Sequence, residues 1–537
     1  MRYRLIFFIL LLIPQLLTIT ASAQTADLIL TNGKIFTSDT TRLYVQALAI
    51  KGNRVLAVGN NRAIEKLATS KTKRIDLEGK TVTPGFNDAH DHPAWLAPIG
   101  KFLNKNAELN NTGLNKKSIL DSVAMLVKDA KPGEWIHGFI GTDVFFDTSM
   151  RESLDSLAPN NPVELQIWWG HGIVVNQKAL EMCGIADHDE DPLGGWYVRN
   201  GSNKISSLQQ NAQAVVWIKL NESEPHNLVK GLQSYVQEQL VTGITSVQYM
   251  GTGFTAKAAG QIFHKVNSPQ RIRMIPWQRS TANGRQSQDW NIADTDRTPM
   301  FTISGVKYVI DGSPGDGNSL SKKSYTGRGN GNGRLNYPID TMKQIMKEAL
   351  TSNRQLVMHI TGDSSFSIVL SLMMQSGSAE QWNGKRVRIE HNFVKGISLP
   401  QMKILKDYGI LMMHTSKYST GSQLKSLMDN GVMVGMSPDG TTNPFFDIMM
   451  CTAMQQDSTE NINRETAVMA YTRTNAYAEF KEKEKGTLMP GMLADLAVLS
   501  QDIFAIPLQQ LPGIKSVLTI IDGKIAYQQH VKSVRDH

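Results

Sequence analysis

Cysteine is nearly absent: Cys183 and Cys451 are the two found in 537 residues. They allow at most one bridge, which excludes a disulfide framework and leaves stability to an ordinary core. Long apolar runs are also scarce. Beyond the first residues no segment approaches the roughly 20 apolar residues that a membrane-spanning helix needs. No repeat recurs at a period that would build a solenoid or propeller. Blocks of one charge sign are missing too, and even 481–485 alternates Lys and Glu. With no nucleic-acid motif beside it, such dispersed charge reads as solvated surface. A hydrophobic content of 41% and a charged content of 19% rule out a disordered or fibrous chain.

What is present begins with a leader. Arg2 and Arg4 precede an apolar run over 5–17, and Ala21-Ser22-Ala23 follows. That order predicts a signal peptide, residues 1–23, cleaved after Ala23. An uncleaved anchor is the alternative, though the run is short for a span. Cleavage removes two arginines and no acid, so the net charge of +8 becomes +6. No cysteine follows the run to carry a lipid. The expected location is outside the cytoplasm, in a bacterial periplasm, with no stable membrane anchor.

The remaining length suits a barrel of about 250 residues or more plus a smaller domain. Short strands broken by turns fill 27–85. Asn32-Gly33 is a tight-turn signal, and 47–50 and 55–58 bracket Lys51-Gly52-Asn53-Arg54 as a hairpin. The texture returns over 494–499, 517–521 and 524–527, around Asp522-Gly523. These ends, 24–82 and 485–537, predict one small β-sandwich assembled from both termini. Between them, 83–484 alternates strand-like and helix-like stretches. Candidate strands are 82–86, 245–248, 272–277, 306–310, 356–360, 387–391, 410–414 and 432–436, with helical patterns such as 342–351 and 399–408. Eight strands in such alternation predict an α/β chain with a (β/α)₈ TIM-type barrel; an open doubly wound sheet competes. The stretch 93–240 is too long for a barrel connection and reads as an insertion after the first barrel strand, capping part of the mouth.

Chemistry concentrates at the strand ends. In Pro84-Gly85-Phe86-Asn87-Asp88-Ala89-His90-Asp91-His92, an extended chain turns His90 and His92 to one side, where both reach one ion. His359, His391, Asp439 and Lys307 each fall on or just beyond an apolar strand. Buried histidines and acids without partners cost several kcal/mol, so shared coordination of a metal accounts for so many together. Beside these, His171, Trp277 and His414 are candidate substrate contacts, and Trp95, Trp168 and Trp169 candidate pocket walls. Asp363 and Glu390 adjoin the histidines as candidate carboxylates to orient them.

The chain resembles the amidohydrolase superfamily, in the long branch that includes N-substituted formamide deformylases. The likeness rests on Asn32-Gly33-Lys34-Ile35 and Val82-Thr83-Pro84-Gly85-Phe86 at the front. Leu488-Met489-Pro490-Gly491-Met492-Leu493-Ala494-Asp495 carries it at the back, and Gly170-His171 and Asp191-Pro192-Leu193-Gly194-Gly195 within the insertion. The resemblance implies that His90 and His92 bind one metal, that Lys307 bridges to a second when carboxylated, and that His359 and His391 bind that second ion. Asp439 would bind the first and shuttle protons. A plain Lys307 leaves a single-metal site of His90, His92, His359 and Asp439. Ligands of this kind suit zinc, one or two ions. The implied activity is hydrolysis of carbon–nitrogen bonds other than peptide bonds, on an amide or N-formyl compound. A deaminase or lactonase on the same site, or an inactive metal-binding scaffold, are the alternatives. A small-molecule substrate is the expected partner, with no nucleic acid, and a homodimer the expected assembly.

Three departures stand out. Pro438 precedes Asp439 and restricts Ser437, which leaves the carboxylate's approach open. A glycine-rich stretch over 327–333 replaces the branch's usual segment. Gln210 stands where the branch often carries Glu, which removes a charge.

Overall fold

A computed structural model describes residues 24–93, 101–102, 115–286, 298–323, 331–440 and 442–529. The leader over 1–23, Trp95 and residues 327–330 of the glycine-rich stretch lie outside these. No helix among the described residues is long and apolar enough to cross a membrane.

The chain is mixed α/β. Its centre holds eight strands: β1 (Phe86–Asp91), β2 (Ile244–Gly251), β3 (Arg271–Pro276), β4 (Val306–Val309), β5 (Leu356–His359), β6 (Arg388–His391), β7 (Leu411–Thr415) and β8 (Val434–Ser437). Every neighbouring pair that hydrogen-bonds is parallel. Helices return the chain between them, as Ile339–Thr351 does from β4 to β5 and Leu399–Asp407 from β6 to β7. The second shows why such a segment turns helical. Ser398 and Gln401 close a capping box, a proline sits in the first turn, and Met402 and Leu405 face the core.

The ladders form two parallel sheets, one running β1-β2-β3 to a short edge strand, Phe301–Ile303, and one running β4 to β8. A single bridge from Trp277 to Lys307 spans the gap between β3 and β4. At the opposite gap a side chain does the joining. Asn475 donates to the carbonyls of Asn87 on β1 (2.6 Å) and Met436 on β8 (2.7 Å), and accepts from the Met436 N–H (3.2 Å). It follows a π-helical turn, Ala470–Thr474, a distortion that occurs mostly near functional sites. Asn475→Ala strands three buried backbone groups, each worth roughly 1–3 kcal/mol. The expected result is a clear fall in the urea midpoint; an unchanged midpoint would show that the gap is held otherwise.

The chain ends meet in a six-stranded sheet ordered Lys524–Gln528, Ser516–Ile521, Leu496–Leu499, Thr81–Pro84, Lys34–Phe36, Tyr44–Val45. A second sheet of four strands, from 28 to 76, shares one apolar cluster with it, including Leu30, Leu48, Val82, Leu496 and Ile520. The hairpins around Gly52 and Gly523 form as expected. Asn32-Gly33 turns but makes no hairpin: the strands before and after it enter different sheets, and a side chain at Gly33 would strike Leu77. Residues 82–86 also divide. Thr81–Pro84 joins the six-stranded sheet, and the next strand starts at Phe86. Gly85 allows this because a Cβ there would lie 2.1 Å from the Thr245 hydroxyl.

The insertion carries its own six-stranded sheet, with edge strands Lys101–Phe102 and Gly195–Arg199. It is backed on one face by an apolar cluster around Ile136, Leu154, Leu165 and Val174 and joined to the central core through Ile173, Val175, Ile205 and Leu208.

Candidate active site

The C-terminal ends of the central strands converge on a cavity of about 400 Å³, with His92, His359, His391 and Asp439 in its lining. The insertion supplies Phe139, Gln166, Trp168, Trp169 and His171 to the same wall.

His90 and His92 approach to 3.2 Å between their Nε2 atoms. Asp439 faces them with one oxygen, 3.7 Å from His90 Nε2 and 3.5 Å from His92 Nε2. Its other oxygen lies 3.5 Å from His391 Nδ1. Donor atoms of His90, His391 and Asp439 all fall within 4.8 Å of one another, a group able to hold a metal ion. His359 joins through ring contact with His391, centroids 4.4 Å apart, while its Nε2 meets the Gly312 carbonyl at 3.1 Å. Pro438 thus leaves the carboxylate in reach: Asp439 takes a left-handed backbone, φ +51°. His391 does the same at φ +80°, a strained state for histidine, with its carbonyl held by the Ser419 hydroxyl.

Further residues orient these rings. Glu390 Oε2 lies 2.5 Å from His90 Nδ1, so that nitrogen donates and Nε2 keeps its lone pair. Thr252 stands 3.2 Å from His92 Nδ1 and Thr415 3.2 Å from His391 Nδ1. Arg388 pairs with both Glu390 oxygens (2.8 and 3.0 Å) and also bonds Gln248 and the Ala89 carbonyl.

The electrostatics suit a cation. Burial, reinforced by the Lys307 ammonium and neighbouring rings, holds His90, His92, His359 and His391 well below the ordinary histidine range. Neutral imidazoles are the form that binds metal. Burial pushes Asp439 up to about 7 against the pull of Lys307. It lowers Lys307 to about 8, with Glu390 opposing. The Lys307 amine is buried and has no hydrogen-bond partner among the described residues.

Several expected contacts sit elsewhere. Trp277 is buried against Trp217 (centroids 5.8 Å) and is not in the cavity lining. His414 is fully buried and not in the lining either, facing Asn392 and Ser422 at 3.2 and 3.3 Å. Asp363 begins the helix after β5 and accepts from the Lys322 N–H, away from the rings. The acid that organises that turn is Asp311, buried, accepting from the N–H groups of Thr361, Gly362 and Leu320. His171 does line the cavity, its Nδ1 2.9 Å from Gln210 and its ring 4.6 Å from that of His359. Gln210 passes the link on to Asp316 at 3.0 Å. Sequence reasoning missed Thr252, Lys417 and Tyr418, though each follows a central strand within a few residues, the same signal that marked His359.

The model of the amidohydrolase family matches residues 73–527. The chain belongs to that family. This amidohydrolase is therefore a hydrolase acting on carbon–nitrogen bonds. It is 26% identical to Protein LONG AFTER FAR-RED 3 of Arabidopsis thaliana, across 88% of this chain and 87% of that one. It is 24% identical to the N-substituted formamide deformylase of Arthrobacter pascens, across 94% and 99%. An uncharacterized metal-dependent hydrolase from Pyrococcus horikoshii shares the fold at TM-score 0.65 and 19% identity, over 90% of this chain and 99% of that one.

Proposed function

We propose that this amidohydrolase cleaves the amide or N-formyl bond of a small molecule bearing an apolar group. The observation that carries the reading is Asp439, whose two oxygens face imidazoles held neutral at the floor of an aromatic-walled cavity. The Arthrobacter pascens relative, by name a formamide deformylase, supports the N-formyl choice.

His90, His92, His391, His359 and Asp439 would hold the metal, with zinc the ion their chemistry suits and a carboxylated Lys307 bridging a second. The unpartnered Lys307 amine supports that modification: neutral lysine and carbon dioxide give a carbamate and one proton. A bound divalent cation supplies an acidified water and a Lewis acid for the carbonyl oxygen. Asp439 accepts the attacking water's proton at a carboxylate oxygen and returns it to the departing nitrogen. Glu390 and Thr252 keep the first pair of rings aimed. Phe139, Trp168 and Trp169 narrow the approach and take the apolar group.

The reading includes a closed (β/α)₈ barrel over 83–484, sealed by Asn475, with a β-sandwich from 24–82 and 485–537. The leader pattern of 1–23 supports export to a periplasm, and a homodimer is the assembly we expect. Metal content of chelator-free protein, purified with bicarbonate, tests the centre. Two zinc equivalents per chain are expected, falling to one or fewer in Lys307→Met, with hydrolysis of N-formyl amines lost on chelation and restored by zinc. No retained metal after reconstitution would overturn the reading.

A further inference from the structure

Lys417 is a cation the proposed chemistry leaves unused. Tyr418 and Ser419 fold back onto the Thr415 carbonyl at 3.0 Å each, and this turn sets Lys417 over the end of β7, in the cavity lining beside Tyr418 and Asp439. It is half-buried. Yet no carboxylate among the described residues comes within ion-pair distance of its amine. Asp447, one of the two acids that act on it electrostatically, is bonded through one oxygen by the Tyr471 hydroxyl at 2.6 Å, and its buried second oxygen makes no ion pair with Lys417. The other, Asp439, faces the histidines. The nearest ring, Tyr418, has its centroid 5.7 Å from the amine, an outer-range contact.

An ammonium that has lost part of its hydration without gaining an ion pair favours an incoming anion. The remaining walls specify the other half of the ligand. Trp168 and Trp169 meet edge to face with centroids 5.2 Å apart, and Phe139 and Phe393 complete an aromatic surround. A molecule lying across this cavity offers an aromatic ring to the insertion and an anionic group to Lys417, with Asp439 in the same lining.

We infer that Lys417 is a specificity-determining residue that binds a carboxylate on the substrate, so that the preferred substrates are N-acyl or N-formyl derivatives of aromatic amino acids. This inference rests on the amide-hydrolase reading and deepens it. Lysine pairs with a carboxylate as a point charge, and arginine at the same place supplies the same charge.

The test compares N-formylphenylalanine with N-formylphenethylamine, which differ only in the carboxylate, on the zinc-loaded enzyme. In the parent, kcat/KM for the acid should exceed that for the amine by at least about tenfold, the worth of one charge-assisted contact. Lys417→Gln should bring that ratio below about threefold, chiefly through KM, and Lys417→Arg should restore most of it. Equal rates in the parent, or a ratio unchanged by Lys417→Gln, overturn the inference. If neither compound is hydrolysed, the amide reading fails on its own. Calorimetric binding of the same pair then decides for Lys417: tighter binding of the acid that Lys417→Gln abolishes upholds it, and any other pattern overturns it.

Discussion

Replacing Asp439 by Asn should lower kcat by about 10³-fold while leaving the fold and most of the metal in place, within the range of a lost general acid–base group. The amide oxygen of asparagine still offers one lone-pair ligand to any ion shared with His90 and His92, so the cluster keeps its geometry. What disappears is the ability to take a proton. Both carboxylate oxygens face the rings, at the place where the proposed chemistry takes up the proton and returns it. The comparison needs kcat, KM and metal content on the same preparations. A variant that keeps its metal and loses less than about tenfold in kcat would deny Asp439 the proton-transfer role.

The second large effect is on stability. Arg388→Met should destabilise the protein by about 3–5 kcal/mol, since it strands a buried carboxylate. Arg388 and Glu390 are both fully buried and joined at both oxygens. Without the guanidinium, Glu390 keeps one charged or ring partner, His90, and Gln248 and the Ala89 carbonyl lose donors. Denaturation midpoints of the parent, Arg388→Met and the double variant Arg388→Met/Glu390→Gln would separate the causes. Recovery of at least half the loss in the double variant is expected, because the amide carries no charge to strand. A single variant as stable as the parent would mean that the pair is not what holds these strands.

Why some of this was legible in sequence and some not has a physical basis. The central strands appear within a few residues of where apolar runs put them, because burial on both faces writes a continuous signal into four or five neighbouring positions. His90 with His92, and His391 with Asp439, could be picked out because a polar group directly after such a run is an anomaly. Partners set by contact between distant segments leave no such mark. Glu390 reaches His90 across 300 positions, and Asn475 reaches Asn87 across 388. Glu390 was found only because it also precedes His391. The same proximity misled at Asp363: it sits near His359 in sequence, but the turn there closes around Asp311, about 50 positions earlier, through Thr361 and Gly362. Asn32-Gly33 shows a related limit, since turn chemistry states that the chain reverses and not which sheet receives it.

The insertion's sheet packs on two sides, with Leu165, Ile167 and Val174 in an apolar cluster of its own and Ile173, Val175, Ile205 and Leu208 in the cluster that packs the central strands. Phe139, Gln166, Trp168 and Trp169 therefore hang from a frame that is seated in the core of the strands carrying the histidines they face. Substitutions around one cavity, on frames with shared packing, tend to act together rather than additively. A lineage of such chains that retailors what it admits must therefore change wall and seat in step if the proton-handling floor is to be inherited intact.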